Sequence, residues 1–347
     1  MKSGTEVLPV QASLAQEDVQ TALQRARDAG ASLAECLGIL QRWSEAVGYF
    51  AHLGEPNEFL VFPDASLGLD LRLQINYSRL AYKAPEGRRI GCPLCFENIG
   101  TPGKELLRVF EFNLAGVPYF SHLTPFPLHS GHFVLNARTH EPMRIGEPAL
   151  REAAAFLAEA PGWLLASNSD VEWAGASVLS HHHCQLFREL RLPIEDAAVR
   201  SPGQVGDVAC DLLCWPGPVY RLSGPEEATL DAAARLIALW KARDPGRCTC
   251  NYLMRRTDSS GLVLHLFMRH PDWRTPEHLR SIKSEGVGII EVAGEVIVPP
   301  LAGKTRAENR EFFEAEGLRV IHGIIGGNAP LDERLDWDFY AAFPSLL

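Results

Sequence analysis

The chain has 347 residues, 46% of them hydrophobic, which is enough to bury a sizeable core in one elaborate domain or two. Its 33 Lys and Arg stand against 43 Asp and Glu, a net charge of −10. That balance excludes a broad basic face for a nucleic-acid backbone, while leaving room for a local basic pocket around a small phosphate ligand. There is no apolar run long enough to span a bilayer, and the N-terminus lacks the charged-then-apolar pattern of a signal peptide. The expectation is a soluble cytoplasmic protein with no nucleic-acid or membrane partner. Its eight cysteines (Cys36, Cys92, Cys95, Cys184, Cys210, Cys214, Cys248 and Cys250) then read as metal ligands or core residues rather than disulfides.

In chain order, residues 13–53 are helical in pattern, with apolar residues three and four apart, and form a cap without chemistry of its own. Residues 59–76 alternate through Leu71, Leu73 and Ile75 and read as a strand. Next comes Cys92-Pro93-Leu94-Cys95, a spacing that lets two thiolates approach one tetrahedral ion and so supplies half of a zinc site. Plain packing and a thioredoxin-like redox role are the alternatives; Pro93-Leu94 between the cysteines suits the latter poorly. Strands are expected at 107–113 and 132–137, separated by a Pro- and His-rich loop, with Arg138-Thr139-His140 closing the second. A helix over 148–160 and a strand over 163–167 lead into Asn168-Ser169-Asp170.

The densest chemistry follows, in Ala174-Gly175-Ala176-Ser177 and then His181-His182-His183-Cys184-Gln185. In an extended strand His181, His183 and Gln185 share one face, and His182 and Cys184 the other. Cys92, Cys95, His140 and His181 then make a four-ligand metal set, with His129 or His132 as alternatives to His140. Such a closed set has no open position, so its job is positional. His183 is left free as a nucleophile toward phosphorus, and Gln185 can donate to a phosphate oxygen without carrying charge. The small residues from Gly175 to Ser177 let a backbone come close to that phosphate.

The second half repeats the first loosely. It has strands over 208–222, a helix over 225–242, strands over 251–255 and 262–270, a strand pair over 289–298 turning at Gly294, and a closing helix over 308–325. The stretch from Leu262 to His270 looks like that from His132 to His140, since both are apolar strands ending in Arg and His. The expected architecture is α+β: two half-barrel units of antiparallel sheet and packed helices behind an N-terminal helical segment, divided at 1–58, 59–200 and 201–347.

The run Asn168-Ser169, Gly175-Ala176-Ser177 and His181-His182-His183-Cys184-Gln185 resembles the active-site signature of the transferase branch of the histidine-triad superfamily. That branch includes galactose-1-phosphate uridylyltransferases, diadenosine tetraphosphate phosphorylases and GDP-hexose phosphorylases. The resemblance implies histidine-triad-like units and a nucleotidyl-histidine intermediate on His183, stabilised by Gln185. It also implies a zinc ion on the Cys/His set, substrate contacts from Asn76, Arg79, Asn113, Asn168, Ser169 and Ser177, and a homodimer. Gly286-Val-Gly-Ile-Ile-Glu291 resembles the Val-Gly-x-Glu region of the same enzymes. Two departures stand out. Ser177 lies four residues before His181 where the family usually has three, and the second half lacks the His-x-His pair of a further metal site, so one metal is expected.

The expected activity is double displacement between a nucleotide sugar, or a similar nucleotide, and phosphate or a sugar phosphate. The segment from Ile289 to Gly294 leans toward the GDP-hexose phosphorylases. The rivals are a dinucleoside polyphosphate phosphorylase, a zinc-stabilised nucleotide-binding protein without chemistry, and a metallohydrolase with His182 on an open zinc.

Overall fold

The structure is a computed structural model describing residues 8–78, 91–257 and 261–347. The helical N-terminus is two helices, α1 (Gln16–Asp28) and α2 (Leu33–Ala46). Gly30 breaks the run at φ +98°, and Ser32 and Glu35 form the capping box that starts the second helix. Residues 59–76 are not the single strand their alternation predicts but a hairpin of β1 (Glu58–Asp64) and β2 (Leu69–Ile75). The reason is turn chemistry: the Asp64 carboxylate accepts from the backbone N–H groups of Ser66 and Leu67, and Gly68 takes φ +70°.

Three strands follow, β3 (Phe110–Leu114), β4 (Val117–Leu123) and β5 (His132–Ala137), then α3 (Glu147–Glu159), β6 (Leu164–Ser167) and β7 (His183–Phe187). The second half runs β8 (Val199–Ser201), the two-residue β9 (Gln204–Val205), β10 (Val208–Leu213), β11 (Val219–Pro225), α4 (Glu226–Arg243), β12 (Thr249–Arg256) and β13 (Gly261–Arg269). All these strands join one sheet, in the order β3-β4-β5-β7-β6-β12-β13-β11-β10-β8, with β9 on β10.

Apart from the two-residue β9, each half therefore has three strands, a helix and two strands, with the last two exchanged in the sheet. The halves meet back to back where β6 pairs antiparallel with β12, Ala166 opposite Leu253. The duplication is real, but its register differs from the sequence comparison. The strand from Gly261 to Arg269 occupies the place of β7, not of β5. The apolar likeness that suggested otherwise reflects only that both strands are buried on both faces.

One face of the sheet is covered by α1 to α4, whose apolar stripes include Leu37 and Leu40 of α2, Leu150 and Phe156 of α3, and Leu236 and Trp240 of α4. The other face carries a second, three-stranded sheet, β1-β2-β14. Here the expected strand pair at 289–298 is instead a short helix, α5 (Ile289–Val292), followed by β14 (Glu295–Val298), which pairs parallel with β2. The helix forms because its free N–H groups find acceptors: Gly288 N donates to Glu291 at 2.6 Å and Ile289 N to the Asn168 side chain at 3.0 Å. The turn at Gly294 holds, with φ +105°. The long α6 (Arg306–Gly327) and short α7 (Trp337–Ala342) close the chain. No helix among the described residues is long and apolar enough to cross a membrane.

Burial on both sides of the sheet traps several imidazoles in the neutral form. It pulls His122 down to about 4, and His132 and His265 down to about 3. Unfolded, each of them would take up a proton near pH 6.5. Their native-state stabilisation is thus fully present above that pH and is lost as pH falls toward 4, where the unfolded chain holds about three more protons. Near pH 5 the expected slope is about 4 kcal/mol per pH unit from these three groups. Denaturant titrations at pH 7, 6 and 5 measure it, and a flat profile would contradict the burial argument.

Candidate functional site

The register of β7 settles which way each side chain of the histidine tract points. His182 and Cys184 face the helices: Cys184 lies in the core under α3, and His182 Nε2 is 3.7 Å from the Glu152 carboxylate. That carboxylate already accepts from Tyr119 Oη at 2.6 Å and pairs with Arg144. A zinc ligand at His182 is therefore ruled out, and with it the metallohydrolase built on that residue. His183 and Gln185 stand on the opposite face, as strand alternation requires.

His181, just before β7, turns to the same side as His183 and meets the Cys-x-x-Cys turn. Cys92 Sγ lies 3.5 Å from His181 Nδ1; Cys95 Sγ lies 3.1 Å from His140 Nδ1 and 3.7 Å from His181 Nδ1. One ligand atom from each of the four residues falls within 4.8 Å of all the others. Zinc bonds to sulfur and nitrogen place neighbouring ligands about 3.5 Å apart, so this donor set fits a tetrahedral ion. The Nε2–H of His181 donates to Ala137 O at 2.8 Å, which leaves Nδ1 free to ligate and fixes the ring. Burial first, then the neighbouring Cys92, pushes the Cys95 thiol up to about 11, so two adjacent thiolates need a cation to coexist. His140 is the fourth member. His129 is engaged 2.5 Å from Glu295, and His132 stacks on Phe187 at 4.2 Å.

His183 is 8% exposed. Its Nδ1–H donates to His181 O at 2.8 Å, and its backbone N–H contacts Met143 Sδ at 3.3 Å. With Nδ1 protonated, the lone pair is on Nε2. Burial holds the ring below the ordinary histidine range, against the opposing effect of the His181 carbonyl, so it is neutral at pH 7. The backbone that carries His181 of the Cys/His cluster thus also fixes the tautomer of the His183 ring.

Strand pairing draws a row across this face, Glu111–Phe120–Asn136–His183. Asn136, directly opposite His183, is fully buried, and its Oδ1 has no partner. The His122 ring lies near Phe120, and its Nδ1–H donates to Leu123 O. From sequence, His122 is one of the histidine candidates of this half without a role of its own, Asn136 is not singled out, and His132 is only an alternative ligand. A signal was available: His and Asn four apart, hence on one face, in the otherwise apolar strand from His132 to Ala137.

The remaining expected contacts scatter. Asn113 is exposed on edge strand β3, on the same face but roughly 16 Å away, three strand spacings across and two residues along. Its neighbour Phe112 packs toward the helix side. Asn168 spends its Oδ1 on Ile289 N, and the Ser169 hydroxyl accepts from Val171 N at 3.1 Å, so both shape the loop. Ser177 is exposed in the segment before His181. Asn76 directly follows β2, and its Oδ1 accepts from the Ser78 hydroxyl at 3.0 Å. Arg79 lies outside the described residues.

The loop of Asn168 to Ala176 is clamped from the second half of the chain. A Cβ on Gly175 would sit 2.2 Å from the Gly288 Cα, and one on Gly286 would sit 2.7 Å from the Glu172 carbonyl. Two glycine-bearing segments, more than a hundred residues apart, thus touch backbone to backbone. Asn251 donates to Ala174 O at 3.0 Å, and the buried Arg269 ties Asn251 to Val287 O.

No family model matches the chain. It is similar in sequence to galactose-1-phosphate uridylyltransferases. Identity is 24% with that of Caldanaerobacter subterraneus subsp. tengcongensis, over 84% of this chain and 66% of the relative. It is 27% with that of Streptococcus mutans serotype c, over 73% and 59%. The chain thus matches less than two thirds of the length of these relatives. Among solved structures, yeast Ap4A phosphorylase Apa2 superposes with a TM-score of 0.55 at 15% identity, over 86% of this chain and 94% of that one. The same enzyme in complex with Ap4A gives 0.55 at 14%. The resemblance seen first in the histidine tract therefore extends over most of the chain, and the α+β fold is that of the phosphorylase.

Proposed function

We propose that the chain is a nucleotidyltransferase acting by double displacement on a nucleoside diphosphate sugar. The observation that carries this reading is His183, a neutral buried imidazole held at Nδ1 by the His181 carbonyl and carrying its lone pair on Nε2, with Gln185 beside it on the same face. Nε2 attacks the α-phosphorus; the new N–P bond replaces the P–O bond to the departing sugar 1-phosphate. In the second half-reaction an oxygen of inorganic phosphate or of another sugar phosphate attacks the same phosphorus and frees the imidazole. Charge builds on the phosphoryl oxygens in both steps, and a neutral amide donor at Gln185 can follow it without a counter-charge of its own.

Cys92, Cys95, His140 and His181 would hold Zn2+, which supplies a rigid clamp on the segment leading into His183. Asn113 and Ser177, both exposed around this face, are assigned to substrate contacts; Asn168 and Ser169 act by shaping the loop. All eight cysteines are unbridged, which suits a cytoplasmic enzyme. The names of the sequence relatives favour uridylyl exchange with a hexose 1-phosphate as the first reaction to assay.

The test is a panel of UDP-, GDP- and ADP-sugars and diadenosine tetraphosphate, each with phosphate or a hexose 1-phosphate, read by product mass. The peptide containing His183 is to be searched in parallel for an acid-labile nucleoside monophosphate adduct. One productive pair with the adduct supports the proposal. The absence of both across the panel refutes it.

A further inference from the structure

We propose that His132 is a positioning residue that fixes which end of the Gln185 amide faces the reacting phosphate, an inference that rests on the role just given to Gln185. His132 pairs opposite Phe187 across β5 and β7, which makes Gln185 its diagonal neighbour on the same face, within reach of two long side chains. The ring is held flat against Phe187, with centroids 4.2 Å apart.

Its tautomer follows from one contact. The backbone N–H of Leu128 points at His132 Nδ1, 3.1 Å away. A backbone N–H can only donate, so Nδ1 carries the lone pair. The ring is buried, with its pKa pulled down to about 3, and its single proton is therefore on Nε2. His132 Nε2 and Gln185 Oε1 are both buried and neither has a hydrogen-bond partner in the structure, while the Gln185 side chain is the polar group that acts on this ring against the effect of burial. In the proposed pairing a small adjustment of the amide lets Nε2–H donate to Oε1.

An amide whose oxygen is taken from behind presents its NH2 forward. That is the end a phosphate oxygen, which only accepts, can use; the flipped amide would set carbonyl oxygen against phosphate oxygen. The residue that reads His132 is itself steadied, because the buried Gln74 amide donates to Leu128 O at 2.8 Å.

Histidine-labelled full-length protein, examined by two-bond 1H–15N correlation, should show His132 protonated at Nε2 alone, and His132→Phe should shift the Gln185 side-chain NH2 signals. His132→Phe keeps the stacking and removes the donor. It is expected to lower kcat about 30-fold with KM changed less than threefold, and to add nothing in a background of Gln185→Ala. His132→Gln, which can donate again, is expected to recover most of that loss and serves if the Phe variant folds poorly. A proton on Nδ1, unmoved Gln185 signals, or losses that multiply in the double variant would each overturn the inference. The spectra do not depend on turnover. If the substrate panel fails entirely, the reading of the site falls, while the amide orientation is still decided by the spectra.

Discussion

Replacing His183 by asparagine is expected to abolish transfer of label from an α-phosphate-labelled nucleotide sugar, by about 10⁴-fold or more, while binding of the nucleotide stays within a few-fold. The magnitude follows from the chemistry. Without Nε2 no N–P bond forms, the reaction cannot be divided into two steps, and about 5 kcal/mol or more of barrier lowering is lost at 1.36 kcal/mol per tenfold. Asparagine is smaller and cannot reproduce the aromatic ring. Its side-chain amide can still donate to His181 O, so the backbone from His181 into β7 has reason to stay in place. Stopped mixing of label with wild-type protein gives the adduct; the same experiment with His183→Asn gives none. Retained transfer in the variant would remove His183 from the mechanism and leave the nucleotide-binding reading standing.

How much of this was legible in the sequence depends on the distance over which each feature is determined. Alternation within five residues was enough to separate His181, His183 and Gln185 from His182 and Cys184, because a strand leaves no other arrangement. The Cys-x-x-Cys spacing, His140 just past β5 and His181 at the head of the tract were enough to propose the metal set, and the structure brings those four residues together. What failed was what a distant segment decides. Residues 289–292 are β-branched except for Glu291, yet they turn into a helix because Asn168, 121 residues earlier, offers its oxygen to Ile289 N. Gly175 reads as leaving room for a phosphate and Gly288 as part of a Val-Gly-x-Glu stretch; their contact with each other is what explains why neither can carry a side chain. The duplication was visible as a likeness between two apolar strands, but the pairing of β6 with β12 is what shows which strands correspond.

Removing the metal should damage the fold locally before it touches chemistry. Chelation under reducing conditions is expected to lower the melting temperature and release the Cys92–Asn98 turn to proteolysis, with uptake of protons as the thiolates are neutralised. Cys95→Ser makes the argument quantitative. A four-ligand zinc set contributes roughly 10–16 kcal/mol in small domains, and losing one of its ligands costs roughly 4 kcal/mol. Spread over an unfolding entropy of about 2 cal/mol/K per residue in 347 residues, that is a fall in Tm of about 5 °C. Besides the metal set, the segment is held by Asn98 Nδ2 to Cys92 O at 2.7 Å, the Lys104 ammonium to Pro93 O, and Phe96, whose ring meets Phe120 edge-on and lies under the Arg138 guanidinium at 3.8 Å. Turnover should follow the same course with a delay, because His183 Nδ1 is oriented by the carbonyl of His181, and that residue keeps its bond to Ala137 O when the ion leaves. A transferase with a positional metal therefore loses stability first and rate second, and back-titration with Zn2+ should restore both. Instant loss of turnover in protein whose Tm is unchanged would mean that the ion takes part in the reaction, and the closed four-ligand reading would have to be given up.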